Sequence, residues 1–265
     1  MHDEAEKIVY SGFSRPTARL TSKMALYHPE NSRGWNVGSI FDGTLRSRRV
    51  SRTLRKMAAD PEAKGHSDTG VQNLVYMLCA SLRPRRVLEI GTHIGTAAVI
   101  IGHALKANRY GKLITLEPAA HYFSISNRYV KAAGVSDFVQ IWPVFSYDAN
   151  CKLRLREEMP FELIFIDGAH DYQAAVHDIA FSAELLCKNG IMVLHDVGAI
   201  SDSMDPTGRG GVRQALFDFC EDNPRFRAIF FEFPVWLNNT GTAIVAKEEL
   251  DPPIVSRIPK IMAAE

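Results

Sequence analysis

The stretch VLEIGTHIGTAA, Val87 to Ala98, decides the fold. An apolar run from Val87 to Ile90 stops at Gly91, and a second glycine, Gly95, opens a helical run. Strand, tight turn and helix in that order begin a strand-helix-strand unit. Gly91 lets the backbone turn and come close to a ligand, and a helix starting at Gly95 leaves its first N–H groups free for one. Thr92, His93 and Ile94 fill the interval, so the three-glycine fingerprint G-x-G-x-x-G is missing and a pyrophosphate ligand is disfavoured. A plain strand-to-helix turn accounts for the glycines but leaves Glu89, an acid two residues before Gly91, unexplained.

Outward from this unit the same alternation continues. A helix over Thr69 to Ser81 leads into the strand Arg86 to Ile90 and the helix Gly95 to Lys106. Next come a strand over Leu113 to Glu117, a helix over Ala119 to Ala133 stopped by Gly134, and a strand over Phe138 to Trp142. A short helix near Asp148 to Glu158 precedes LIFI, Leu163 to Ile166, apolar on both faces as a strand in mid-sheet should be. The helix Asp171 to Leu186 and the strand Ile191 to Leu194 follow, with Asn189-Gly190 read as the stop between them, then the helix Gly211 to Glu221. FRAIFFEF and TGTAIVAK are two last strands, and their joint, Pro234 to Asn239, is too short for a crossover helix, so they pair antiparallel. The expected class is α/β: a doubly wound, mostly parallel seven-stranded sheet with a C-terminal antiparallel hairpin. Residues 66–250 form this domain, 1–65 an N-terminal extension rich in Arg, Ser, Gly and Pro, and 251–265 a tail. Such a sheet has its ligand crevice at the carboxyl ends of its strands.

Composition narrows the function classes. With 265 residues, 46% hydrophobic and 23% charged, the chain can bury a large core, which excludes disorder as its main state. Lys plus Arg number 31 against 30 Asp plus Glu, a formal net charge of +1, so nothing global draws the chain to nucleic acid or an anionic membrane. The four cysteines include no CxxC pair, which argues against a zinc cluster and a disulfide framework. No apolar run of 18 residues occurs, and the start MHDEAEKIVYSGFSRP lacks the pattern of a leader; a cytoplasmic protein is expected.

Two groups of residues carry chemistry. Glu117, 22 residues beyond Gly95 at the end of the second strand, is placed to hold both hydroxyls of a ribose. The second group lies in FIDGAHDY and, one strand later, MVLHDV. Asp167 ends one strand and His195-Asp196 end the strand beside it, so three ligand-type side chains meet on one crevice wall. Carboxylate oxygens with an imidazole suit Mg²⁺ or Mn²⁺. The alternative is a hydrogen-bonded network that only caps the strand ends. His170, three residues after Asp167, can return toward the same site, where an imidazole can take a proton at neutral pH. Between Asp196 and the next helix, GAISDSMDPTGRGG is polar and long enough for a lid, and its Arg209, with Arg213, could hold an anionic substrate group.

Taken together, Glu89, Gly91, Gly95 and Glu117 resemble the cofactor half of class I S-adenosylmethionine-dependent methyltransferases. The likeness runs from about Asp68 to Lys247. It implies that Gly91 faces the methionine part, that Glu117 holds the ribose, and that Phe145 to Asp148 flank the adenine. The implied cofactor set is Glu89, Gly91, Thr92, Gly95, Glu117, Ser146, Asp148 and Asp167. FIDGAHDY and MVLHDV further resemble catechol-type O-methyltransferases and bacterial relatives that methylate sugars and other natural products. On that likeness the metal set falls on Asp167, His195 and Asp196, and the catalytic pair is Asp167 and His170. This chain departs from the family pattern with a histidine in place of an acid at His195 and in place of lysine at His170. The resulting expectation is metal-assisted methylation of a hydroxyl on a small molecule.

Rival readings remain at this level. RSRRVSRTLRK, Arg46 to Lys56, holds six basic residues and no acid, which would suit the backbone-binding arm of a metal-independent methyltransferase acting on nitrogen or on RNA; a solvated helix face whose arginines pair with the body or a second subunit is the commoner case. A non-catalytic nucleoside-binding protein of the same fold is another. Nucleic acid and membrane are not expected partners; a homo-oligomer is one possibility, and the sequence leaves the oligomeric state open.

Overall fold

The computed structural model describes residues 47–63, 67–232 and 240–247. Most of the expected extension, the joint at 234–239 and the tail 251–265 lie outside the described residues. In chain order the elements are α1 (Arg48–Ala58), a 3-10 turn (Pro61–Ala63), α2 (Thr69–Leu82), β1 (Arg86–Ile90), α3 (Thr96–Asn108) and β2 (Lys112–Leu116). They continue with α4 (Ala120–Ala133), β3 (Val139–Trp142), α5 (Ala149–Glu158), β4 (Phe161–Ile166), α6 (Tyr172–Leu185) and β5 (Leu186–His195). A short α7 (Ser201–Met204), α8 (Gly211–Asp222), β6 (Phe226–Phe231) and β7 (Thr242–Lys247) complete the order.

The seven strands form one sheet in the order β3-β2-β1-β4-β5-β7-β6. The first five are parallel, and β7 runs antiparallel to both β5 and β6. This is the class I methyltransferase fold, and the expected hairpin is present. Alternation along each strand feeds two core layers. Val87, Leu113, Leu163 and Phe165 face α2, α3 and α4 on one side; Leu88, Ile164, Ile166 and Leu194 face α5, α6 and α8 on the other. Glu89 shares the strand parity of Val87 and is fully buried.

Local chemistry sets the ends of the helices. Asp68, Asp148 and Asp171 each accept backbone N–H bonds at the start of α2, α5 and α6. Gly134, with φ +71°, ends α4 as expected. The Asn189-Gly190 pair is not a stop: β5 runs through it. Asn189 takes φ +57°, and Phe161 pairs with Leu186 while Leu163 pairs with Ile191, so Cys187 to Gly190 bulge out of the ladder instead of breaking the strand.

The basic segment forms α1, whose Val50, Leu54 and Met57 are buried against the body. Arg49 donates to the carbonyls of Ala132 (2.7 Å) and Lys131 (2.9 Å) at the C-terminus of α4. A cation there complements the helix dipole and satisfies carbonyls that no helical N–H reaches. At least this arginine docks the helix on the domain.

Candidate active site

The sheet's connections reverse between β1 and β4: from β1 the chain moves outward to β2 and β3, and β4 returns on the other side. The strand ends therefore splay into a crevice at this point. Gly91 follows β1 and Asp167 follows β4, and the Asp167 N–H donates to the Ile90 carbonyl at 2.9 Å. The turn after β1 folds onto β2, with the N–H groups of Gly91 and Thr92 both donating to Leu116. Thr92 and Thr115 join through their hydroxyls. Gly95 sits at φ +91° and heads α3 without a side-chain cap, leaving the helix N-terminus to a ligand.

Two carboxylates, Glu89 and Glu117, stand at the glycine turn. Glu89 has no solvent exposure, and its two oxygens find no hydrogen-bond partner of good geometry among the described residues. Burial pushes its carboxyl up to about 8; the Thr115 hydroxyl only partly offsets this, and the charges of Asp167 and Glu117 add to it. Glu117 accepts from the His93 N–H at 2.7 Å through Oε2 and from the Ala119 N–H at 2.9 Å through Oε1. Each oxygen keeps a second lone pair for a ligand. Burial raises its pKa as well. To serve Glu117, His93 adopts φ +51°. One hollow is lined by Glu89, Gly91, Thr92, His93, Thr96 and Asp167, so the glycine turn and the first acid of the other group share it.

The other half is a closed set of charges. The His195 ring is 5% exposed; Nδ1 lies 3.0 Å from Asp167 Oδ1 and 3.2 Å from Asp196 Oδ2, and Nε2 lies 3.1 Å from Asp68 Oδ2. Burial opposes the charged ring, but the surrounding carboxylates, Asp167 foremost, win and push its pKa up to about 12. Asp196 has φ +58°, a conformation an aspartate tolerates better than most residues. Its Oδ2 also stands 2.9 Å from His170 Nε2. Against burial, the His170 and His195 bonds hold Asp196 well below the usual carboxylate range. His170 is raised in turn, chiefly by its bond to Asp196.

Asp167, His195, Asp196 and His170 come together. Both nitrogens of His195 are engaged by carboxylates, so in this arrangement it has no lone pair for a metal ion; a group that could hold one consists of Asp167, His170 and Asp196, whose ligand atoms lie within 4.8 Å of one another. Ser146 is buried and donates to Asp178 Oδ1 at 2.6 Å, while Asp148 caps α5 through the Cys151 N–H. Arg213 pairs with Glu232 at 2.7 Å, and Arg209 lies over the Tyr172 ring, 4.0 Å from its centroid. The polar loop after Asp196 is folded around Asp205, which accepts from the N–H groups of Thr207, Arg209 and Gly211.

Two residues that bond to candidate site residues escape a reading of the sequence. Asp68 is recognisable there only as a helix cap, and Asp178 lies in mid-helix with nothing to mark it. Both act on residues far away in the chain.

Residues 88–197 match a family model described as a methyltransferase domain. Among curated proteins, the catechol O-methyltransferase of Mycobacterium tuberculosis is 28% identical over 133 residues, covering 49% of this chain and 57% of that one. Catechol O-methyltransferase B of Danio rerio is 30% identical over 121 residues, 44% of each chain. The chain thus spans about half the length of the curated relatives it matches. Among solved structures, an O-methyltransferase from Bacillus cereus in complex with SAH superposes with a TM-score of 0.64 at 18% identity, covering 80% of this chain and 97% of that one. An O-methyltransferase of tomaymycin synthesis from Streptomyces achromogenes, in complex with SAM, gives 0.61 at 19% identity over 77% of this chain and 91% of its own.

Proposed function

We propose that this chain, which carries a methyltransferase domain match over residues 88–197, transfers the methyl group of S-adenosylmethionine to a hydroxyl of a small molecule. One observation carries the reading: Asp167 lines the hollow of Glu89 and Gly91 and is at the same time bonded to His195 in the charged cluster. A donor held in the hollow and an acceptor held at the cluster meet at Asp167. The names of the relatives, catechol O-methyltransferases, support oxygen as the accepting atom.

The sulfonium of the donor is already activated, so the protein's task is to align an oxygen with the methyl group and make it nucleophilic. In the proposed mechanism Glu117 holds the ribose hydroxyls, and Glu89 with Gly91 receives the cationic methionine part. Phe145, Ser146 and Tyr147 flank the adenine. His170, polarised by Asp196, takes the hydroxyl proton. Asp167 and Asp196 fit Mg²⁺ or Mn²⁺ as hard oxygen donors, a pair of carboxylates being enough when water supplies the rest. The chemistry a divalent ion supplies when bound there is a lowered hydroxyl pKa. His195 is left out of that ligand pair because its nitrogens are already engaged.

The test is methyl turnover with a panel of vicinal diols, before and after chelation, and in Asp167→Asn. The expected result is transfer to at least one diol, reduced by the chelator and by the substitution. Turnover unchanged in all three conditions removes the metal; cofactor binding without transfer to any hydroxyl removes the O-methylation reading. The rival use of the basic helix for RNA loses support from Arg49, which is engaged with α4.

A further inference from the structure

Asp68 ties three elements together with one carboxylate. Its Oδ1 accepts from the N–H groups of Gly70 (2.7 Å) and Val71 (3.1 Å) and so caps α2. Its Oδ2 accepts from His195 Nε2 at 3.1 Å and from the Thr240 hydroxyl at 3.0 Å. His195 closes β5, and Thr240 precedes β7, the strand paired with it. A helix cap needs only one oxygen; the second is committed to the end of the sheet, where the crevice opens.

The geometry around His195 gives this bond its consequence. Its other nitrogen lies between Asp167 Oδ1 and Asp196 Oδ2, at 3.0 and 3.2 Å. Ionised carboxylates only accept, so both nitrogens donate and the ring is a cation among three acids. The buried ring cannot turn to water if one partner is removed. Without Asp68, a buried charged N–H is left unpaired, and the ring has no second anchor to fix its plane. Asp167 and Asp196 still face Nδ1, but the direction of that donor is no longer fixed from the far side of the ring.

We infer that Asp68 is a positioning residue of the proposed methyl transfer: acting through His195, it fixes the directions in which Asp167 and Asp196 face the acceptor. The kinetic part rests on the proposed function; the structural part does not. A displacement of about 1 Å at reacting groups costs on the order of 100-fold in rate, which sets the scale of the effect.

The experiment uses the full chain and the variants Asp68→Ser and Asp68→Ala. A serine still caps α2 but is too short to serve His195 as well; an alanine does neither. In Asp68→Ser, kcat should fall by about 30-fold or more, with the KM for S-adenosylmethionine and the affinity for S-adenosylhomocysteine within about threefold, and Tm should fall because the His195 N–H is left unpaired. Asp68→Ala should show the same kinetic loss with a Tm lower still, because the cap of α2 is lost as well. Independently of any acceptor, the Nε2 proton of His195, assigned by its loss in His195→Gln, should give a slowly exchanging NMR signal in the wild type that disappears in Asp68→Ser. Wild-type turnover in Asp68→Ser would reduce Asp68 to a helix cap and overturn the inference. Loss of cofactor affinity in parallel with kcat in that variant would overturn it too, by making the role structural. If the wild type methylates no hydroxyl, the proposed function fails, and the NMR signal alone decides: its persistence in Asp68→Ser overturns the inference, its loss upholds the tie to His195.

Discussion

A β-carbon on Gly91 would stand 2.0 Å from the carbonyl oxygen of Asp167. The turns after β1 and β4 therefore touch backbone to backbone, and this contact puts the cofactor half and the charged half of the site into one hollow. Gly91 also holds φ +97°, where a side chain is strained. Gly91→Ala must either open the contact or distort the turn. It should cost more than about 2 kcal/mol of stability and abolish measurable binding of S-adenosylhomocysteine, as read by chemical denaturation and calorimetry.

Glu117 is expected to dominate nucleoside affinity. Its carboxylate is already oriented by the His93 and Ala119 N–H groups, so little ordering remains when a ribose arrives. Glu117→Ala should weaken S-adenosylhomocysteine by about 10- to 100-fold, the size of a lost hydrogen bond to a charged group. An unchanged dissociation constant by calorimetry would remove the ribose assignment.

Glu89 makes stability depend on pH in a definite direction. Its carboxyl stands near 8 in the folded protein against 4.5 as the ordinary value. Between those values the unfolded chain has released the proton and the folded one has kept it, so raising pH favours unfolding; above about 8 the penalty stays constant. Relative to Glu89→Gln, the ligand-free wild type should lose on the order of a few kcal/mol between pH 5 and pH 8. Urea titrations at the two pH values measure the difference, and two parallel stability curves would contradict it.

In the proposed mechanism His170 moves a proton and does not hold the donor. His170→Gln should lower kcat by roughly 100- to 10,000-fold, the usual contribution of a general base, while S-adenosylhomocysteine affinity stays within about twofold of wild type. Equal losses in both would assign His170 to cofactor binding.

Arg49 serves the fold. Arg49→Ala removes two bonds to the carbonyls at the end of α4 and should lower Tm by a few degrees. Any weak RNA association at low salt should be unaltered. A steep fall in RNA affinity without a change in Tm would return the basic helix to a nucleic-acid role.

The amino-acid sequence by itself determined the sheet, its hairpin and the cofactor turn. These depend on local signals: the apolar runs Val87 to Ile90 and Leu163 to Ile166, the glycines at 91 and 95, and aspartates before helices. It misread Asn189-Gly190, because a left-handed residue can bulge a strand as well as end a helix, and only pairing with β4 selects between the two. It also brought Asp167, His170, His195 and Asp196 to one wall, since strand order places the ends of β4 and β5 side by side. What each of those side chains does was decided by the tertiary structure alone. His195 is saturated by Asp68, 127 residues earlier, and Asp68 in turn by Thr240, 172 residues later. A histidine's role as ligand, base or buried cation depends on which acceptors face its two nitrogens, and partners so far apart in the chain meet only when the helices and strands that carry them pack together.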